Sequence, residues 1–425
     1  MAAAPDAHDS KPPRILLDGV FFQWGGDPTG IARVWSSLLK EWAGTPFGES
    51  LFILDRAGAV PKFPGIGSYM PFQKFQSTSA AAESFILEDV CRQVKADLFV
   101  STHLTTPLET PSLLMVHDMI PELFGHDKIW LREKRFCTYH AAAYVAVSQK
   151  SANDLYQVYP LSKRAPVCIA HDGVSALFHP PRPDFVQAFR KAYGISNPYF
   201  LLVGSRKEHK NAELFFRAFS RLPNKQCFSI VCCGGDSVLE DELSMRAHGC
   251  DVKMLRLADE ELNAAYAGAI CLVFPSKYEG FGLPIVEAMA AGCPVITCPN
   301  AAIPEVAAGA ALYVNDSDVA GMLDALNSIQ SDEVRSPLIQ AGLRRSQQFS
   351  WTKMARTVAT FSTEVLRCNL AASRTASSRR WRELRNYQRR ANATLRKFLE
   401  LESAWLKAIT EQNESTGVQN ARRTL

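Results

Sequence analysis

Residues 276–292 read SKYEGFGLPIVEAMAAG, and two carboxylates, Glu279 and Glu287, stand there in an otherwise apolar run. Pro284 suits the first position of a helix, because its missing N–H has no intrahelical partner at that point. A helix is expected over 284–291, with Gly292 as its stop and PVIT (294–297) as the next strand. Glu279 then lies in the loop before the helix, and Glu287 about one turn inside it. The amides of Phe281, Gly282 and Leu283 would face outward from a helix N-terminus, a natural anion site that glycines leave open to close approach. Carboxylates on either side of it can grip hydroxyls that flank a bound phosphate. The plainer alternative is that both glutamates only complement the positive end of the helix dipole.

Outward from this stretch, short apolar runs alternate with amphipathic ones, the pattern of parallel strands joined by crossover helices. YFLLVGS (199–205), FSIVCCGG (228–235), VKML (252–255), CLVFPS (271–276), PVITC (294–298) and ALYVND (311–316) read as one set of strands. An earlier set comprises RILLDGV (14–20), LFILD (51–55), DLFVST (97–102), SLLMVHD (112–118), AYVAVS (143–148) and APVCIAHDGV (165–174). Helices are expected at 29–42 and 211–222. The Pro-rich LFHPPRPDF (177–185) separates the two sets and reads as a linker. The expected fold class is α/β, with two doubly wound Rossmann-like domains facing a cleft, because ligands bind beyond the carboxyl ends of such strands. The divisions are a disordered leader (1–13), an N-terminal domain (14–180), a C-terminal domain (181–350) and C-terminal helices (351–425).

The chain has 425 residues, 47% of them hydrophobic and 21% charged, which suits a soluble two-domain enzyme. No run of eighteen apolar residues is present, and the opening MAAAPDAHDSKPPR lacks a signal-peptide core, so a cytoplasmic protein is expected. Eleven scattered cysteines without ligand spacing read as reduced thiols rather than a metal site. The net charge of +4 is uneven: residues 371–425 hold twelve Lys or Arg against five Glu. In that tail Trp381, Leu384, Ala391, Leu395, Phe398, Trp405 and Ile409 follow helical spacing, with arginines on the other faces. The tail therefore suits an anionic membrane surface, a helical protein partner or a solvated helix. It holds no nucleic-acid reading motif, and the near-neutral body continues no basic track, so nucleic acid is excluded as a partner.

The run FPSKYEGFGLPIVEAMAAGCPVITCPNAAIPEVAAGAALYVND (274–316) resembles the C-terminal domain of retaining glycosyltransferases of the GT-B fold, family 4. The resemblance carries the Ser-x-x-Glu-Gly-Phe-Gly-Leu-Pro-x-x-Glu-Ala core and the later Pro-Glu-Val. It implies that Glu287 contacts the ribose of a nucleotide sugar and Glu279 the hydroxyls of the transferred sugar. Gly280, Phe281, Gly282 and Leu283 would meet the sugar and diphosphate. In LLVGSRKEHKNAELFFRAF (201–219), Gly204 turns the chain and Lys210-Asn211 enter a helix, as in the family's basic loop. Ser205 and His209 stand where related chains place arginine, so Arg206 is expected to replace it beside Lys210 at the leaving diphosphate.

WGGDPTGIARVWSSLL (24–39) resembles the Thr-Gly-Ile-Gly-Arg-Tyr start of mannosyl- and rhamnosyltransferase-like members, with Ala32 and Val34 for Gly and Tyr. Gly30 would present a second helix N-terminus to the donor phosphate. MVHDMIPELFG (115–125) resembles the Val-His-Asp-x-x-Pro segment, which would bring His117 to the sugar. VAVSQKSANDLYQVY (145–159) and IAHDGV (169–174) match segments shaping the cleft floor, with Asp172 in place of the usual Asn and with Ser148 and Lys150 as further contacts.

The resemblance thus implies a hexosyltransferase that moves mannose, another hexose or a deoxyhexose from a GDP- or UDP-linked donor. The acceptor would be a saccharide or a lipid-linked acceptor in surface polysaccharide synthesis, and no other cofactor is implied. Asp316-Ser317-Asp318 could imitate a metal-binding pair, but it precedes an apolar helical run and reads as a cap, so no metal is expected. A scaffold that keeps the fold but lacks turnover is the alternative, and the intact Glu279, Glu287 and Lys210 argue against it.

Overall fold

Parallel pairing throughout sets the architecture of this computed structural model, which describes residues 12–25, 30–125, 128–206, 208–368 and 375–423. The first sheet contains β1 (Ile15–Asp18), β2 (Leu51–Arg56), β3 (Ser68–Phe72), β4 (Leu98–Ser101), β5 (Ser112–Val116), β6 (Ala143–Ala146) and β7 (Val167–Ile169). Their spatial order is β3-β2-β1-β4-β5-β6-β7, with Ile15 in register with both Leu51 and Leu98. The second sheet contains β8 (Tyr199–Val203), β9 (Ser229–Cys233), β10 (Asp251–Leu255), β11 (Cys271–Phe274), β12 (Val295–Thr297) and β13 (Leu312–Tyr313). Its order is β10-β9-β8-β11-β12-β13.

Strand order reverses at β1/β4 in the first sheet and at β8/β11 in the second. Crevices open at such switch points beyond the strand carboxyl ends, where ligands bind in open α/β sheets. Central strands are buried on both faces and therefore read as continuous apolar runs. That is why the expected strands appear where the apolar runs lie. SYMPF of β3 escaped the sequence reading because it is a half-exposed edge strand interrupted by Pro71, which edges tolerate.

The chain then returns to its starting domain. Helix Trp351–Arg367 packs against helix Gly30–Trp42, and Trp42 Nε1 donates to the Ala355 carbonyl at 2.9 Å. Helix Thr375–Arg423 continues along the same domain. Its first turns bury Arg385, 1% exposed, in a 2.8 Å ion pair with fully buried Glu133. Trp381 stacks on His140 and meets Phe136 edge-on. The expected division of this helix into an apolar face and arginine faces thus needs correction. An arginine occupies the buried side, because Glu133 compensates its charge, while Leu384, Leu395 and Phe398 are 48%, 57% and 60% exposed. Trp405 and Ile409 lie outside the side chains described, as does most of the leader (1–11).

Among the described residues no cysteine forms a disulfide; Cys227 and Cys368 are exposed, and most others are buried. No described helix is long and apolar enough to cross a membrane.

Candidate active site

A cleft of about 780 Å³ opens between the two domains, beyond the carboxyl ends of both sheets. Gly30, His117, Gly204, Lys210, Glu279, Gly280, Phe281, Gly282, Leu283 and Glu287 all line it. Ten of the residues singled out in the sequence, drawn from four separate stretches, therefore converge on one space. Arg206, Ser148 and Lys150 are absent from its lining.

The local fold explains their placement. Helix Leu283–Ala290 starts from Gly282, whose φ of +109° is strained for any residue with a side chain. Gly280 lies against the other domain, and a Cβ there would fall 1.8 Å from the His117 carbonyl oxygen. Ser148 Oγ donates to the Gly280 carbonyl at 2.6 Å, and Ser151 Oγ lies within 3.1 Å of both that carbonyl and the one of His117. The EGFG loop of one domain is thereby bolted to the floor of the other. Helix Gly30–Trp42 starts opposite, since a methyl group on Gly30 would lie 3.6 Å from Leu283 Cδ1. Two helix N-termini therefore face one cavity, each carrying partial positive charge and outward amides.

Glu279, 7% exposed, receives both hydrogen bonds it needs from one cation: Lys210 Nζ lies 2.8 and 2.9 Å from its two oxygens. Lys210 closes the short turn Glu208–Lys210, and the next residue, Asn211, takes a left-handed φ of +55°. The Asn211 amide donates to the Pro275 carbonyl at 3.1 Å and the Asp316 carbonyl at 2.9 Å, fixing the Lys-Asn pair to the β11 loop.

Glu287 is buried within its helix, accepts from Tyr266 Oη at 3.0 Å, and lies 3.5 Å from Arg33 Nε. Burial pushes its carboxyl up, opposed by the Arg33 charge and the Tyr266 hydroxyl. Arg33 also forms a bidentate pair with Asp259, both contacts 2.7 Å. His117 is half-buried, its buried Nε2 has no partner among the described residues, and burial of the ring lowers its pKa to about 4. Its imidazole is therefore neutral near pH 7. Glu305 adds a second interdomain clamp, accepting from the Gln149 amide at 2.8 Å and contacting His171 Nε2 at 2.7 Å.

Arg206 needs correction as a cleft residue. Its side chain is 2% exposed, pairs with Glu240 at 2.9 Å and donates to the Gly234, Asp236 and Val238 carbonyls. It braces the β9 turn instead. The arginines that do line the cleft are Arg33 and Arg256. The signal for Arg33 was the arginine of TGIAR, three residues after Gly30, whereas Arg256 carries none. Lys150 pairs with Asp154 and is absent from the cleft lining. Asp318 accepts from the Gly321 amide at 2.9 Å, as a helix cap does. Residues 26–29 and Lys207 lie outside the described residues.

Sequence reading also missed an aromatic cluster beyond β1 and β4. The rings of Phe21, Trp24, His103 and Trp130 lie edge-on or tilted at 5.1 to 5.8 Å, with Trp24 46% exposed.

The chain is similar to known proteins over this region and in its fold. Residues 197–332 match the family model described as Glycosyl transferases group 1. Over 161 residues the chain is 34% identical to O-antigen chain mannosyltransferase B of Escherichia coli, covering 36% of this chain and 42% of that protein. Over 249 residues it is 27% identical to O-antigen chain mannosyltransferase RfbU of Salmonella typhimurium, covering 55% and 65%. The chain thus spans about two-fifths to two-thirds of the length of these relatives. The structure of Anabaena HepE in complex with UDP-glucose superposes with a TM-score of 0.63 at 17% identity, covering 82% of this chain and 99% of that one. That likeness is one of fold, the two-domain GT-B arrangement. Residues 197–332 are thus similar to the glycosyl transferases of group 1, and the chain as a whole shares the GT-B fold.

Proposed function

We propose that the protein is a retaining glycosyltransferase that moves a hexose or deoxyhexose, mannose favoured, from a GDP- or UDP-linked donor. The acceptor in this reading is a saccharide or lipid-linked saccharide of surface polysaccharide synthesis. The observation that carries it is the cleft: two opposed helix N-termini flanked by the Glu279–Lys210 and Glu287–Arg33 pairs. Such a site suits a diphosphate between two polyols. The relatives' names favour mannose and O-antigen chains, and the HepE complex holds a nucleotide sugar in the same fold.

In this reading Glu287 accepts from the ribose hydroxyls and Glu279 from hydroxyls of the sugar. Amides at 281–283 and at Gly30 receive the diphosphate. Lys210 has three N–H donors, and its two bonds to Glu279 leave one for a phosphate oxygen. As the anomeric C–O bond to phosphate breaks, the nucleoside diphosphate leaves with the electron pair, and fixed positive groups stabilise that charge. The acceptor hydroxyl attacks from the same face and passes its proton to a leaving-phosphate oxygen. Neutral His117 orients the sugar through its unpartnered Nε2. Side chains and helix dipoles supply the charge at the diphosphate, so no metal or further cofactor enters the scheme.

The acceptor is assigned to the first domain, with the Trp24–His103–Trp130 rings as an apolar platform for a pyranose face. The exposed Leu395 and Phe398, beside Arg396 and Lys397, suit peripheral contact with an anionic membrane on the cytoplasmic side.

The test is nucleotide release from GDP-mannose, UDP-glucose and other sugar nucleotides, alone and with lipid-linked saccharides, followed by the anomeric configuration of the product. Failure of every donor to bind or turn over would sink the enzyme reading. An inverted product would sink the retaining one.

A further inference from the structure

Asp172 stands in the cleft wall with no role in the scheme above. It follows β7 and lines the cavity, is 4% exposed, and its Oδ1 has no hydrogen-bond partner among the described residues. Buried polar groups are almost always partnered, so an orphan oxygen on a residue that lines a ligand cavity points to a ligand atom. Its position is not adjustable. A Cβ on the adjacent Gly173 would fall 2.1 Å from the Trp351 amide nitrogen, and Val174 bridges Ser350. The chain is pressed there against the helix that returns from the other domain.

Charge decides the form Asp172 takes. Of the titratable groups on the elements around the cleft base, Lys210 is bound to Glu279 and Arg33 to Asp259 and Glu287. His171 is bound to Glu305 and Lys150 to Asp154. His117 is neutral near pH 7, and the returning helix brings Ser350 and Trp351 to Gly173. No cation on these elements is committed to Asp172, and burial alone pushes its carboxyl up to about 8. A neutral carboxyl carries an O–H and can donate, as the asparagine of the related pattern also can.

We propose that Asp172 acts as an uncharged acid that donates one hydrogen bond to an oxygen of the bound sugar nucleotide. This rests on the donor-site reading above. A sugar nucleotide is rich in oxygens that only accept or that accept readily, whereas an ionised Asp172 would repel its diphosphate.

Titration of the full chain with GDP-mannose and with UDP-glucose by calorimetry, from pH 6 to 9.5, tests it. Affinity of the wild type for whichever binds should fall about tenfold from pH 7 to pH 9, as one ionisation near 8 requires. Asp172→Asn should abolish that fall, and Asp172→Leu should weaken binding about tenfold at pH 7, the loss expected for one buried donor. Thermal midpoints of the ligand-free proteins across the same range report folding separately. A wild-type affinity that stays flat with pH overturns the proposal while the donor reading stands. So does an Asp172→Asn protein that changes only the midpoints. Binding of neither compound at any pH overturns the donor reading, and the proposal with it.

Discussion

Lys210 Nζ bonds both oxygens of Glu279, at 2.8 and 2.9 Å, across a sequence distance of 69 residues. Each residue therefore serves two purposes: it neutralises the other, and it offers its remaining bonding capacity to the cleft. Removing either leaves a buried or half-buried charge exposed to the wrong partner. Lys210→Ala and Glu279→Gln should each lower kcat for transfer by roughly a hundredfold or more, the scale for losing one preorganised transition-state group. The double variant should fall well short of the product of the two losses, because the residues act as a unit. Single-turnover rates with saturating sugar nucleotide check this, and simple additivity would show that the pair does not act together.

Arg33 and Arg206 separate binding from bracing. Arg33→Ala leaves Glu287 buried without its cation and should cost about 3 kcal/mol of stability while weakening sugar-nucleotide binding. Arg206→Ala should also destabilise, since four partners at the β9 turn lose their donor, yet leave affinity within about threefold once the protein is folded. Denaturant midpoints measured beside calorimetric affinities distinguish them. An Arg206 variant that folds normally but loses binding would contradict the structural assignment.

His117 gives the fold an acid limit. Burial lowers its pKa from 6.5 to about 4, with Asp118 opposing and Lys134 adding to the shift. The unfolded chain therefore takes up this proton first as pH falls. The stability that neutral His117 contributes is complete above about 6.5 and is lost progressively toward pH 4, about 3 kcal/mol in all. Urea unfolding at pH 7 and pH 4.5 should show His117→Asn losing less stability between the two than the wild type. Equal losses would place the acid sensitivity elsewhere.

The buried Arg385–Glu133 pair ties the last helix to the first domain. Arg385→Ala leaves the fully buried Glu133 with only the partly exposed Arg132 at 3.3 Å and the Gln388 amide, and should cost about 3 kcal/mol, most of it recovered by Glu133→Gln in the same chain. Liposome sedimentation separates this anchoring from membrane contact. Replacing Leu395 and Phe398 with Ser should reduce binding to vesicles containing anionic lipid without moving the thermal midpoint. Unchanged sedimentation would remove the membrane from the function of this helix.

Much of the cleft was legible because its parts are local. In EGFGLPIVE, glycine, proline and a glutamate at helical spacing specify a helix N-terminus and what flanks it, and no distant residue can alter that chemistry. Gly204 and Lys210-Asn211 carry the same kind of signal. Arg206 was misread because a basic residue in a loop looks the same whether it points at a ligand or at three backbone carbonyls. The tail was half legible: its helical spacing held, but Arg385 faces inward, and an arginine is buried only where a carboxylate such as Glu133 waits.

The amino-acid sequence by itself determined the central strands of the two parallel sheets, through their apolar runs, and the two helix starts, through Gly30 and the Gly282-Leu283-Pro284 step. The tertiary structure alone decided which charges meet. Lys210 with Glu279, Arg33 with Glu287, Gly280 against His117 and Asp172 without a partner all depend on the two domains closing on one another. Spacing along a chain fixes backbone direction, but pairing between buried charges is an interaction across space, set by the packing that removes water from around them.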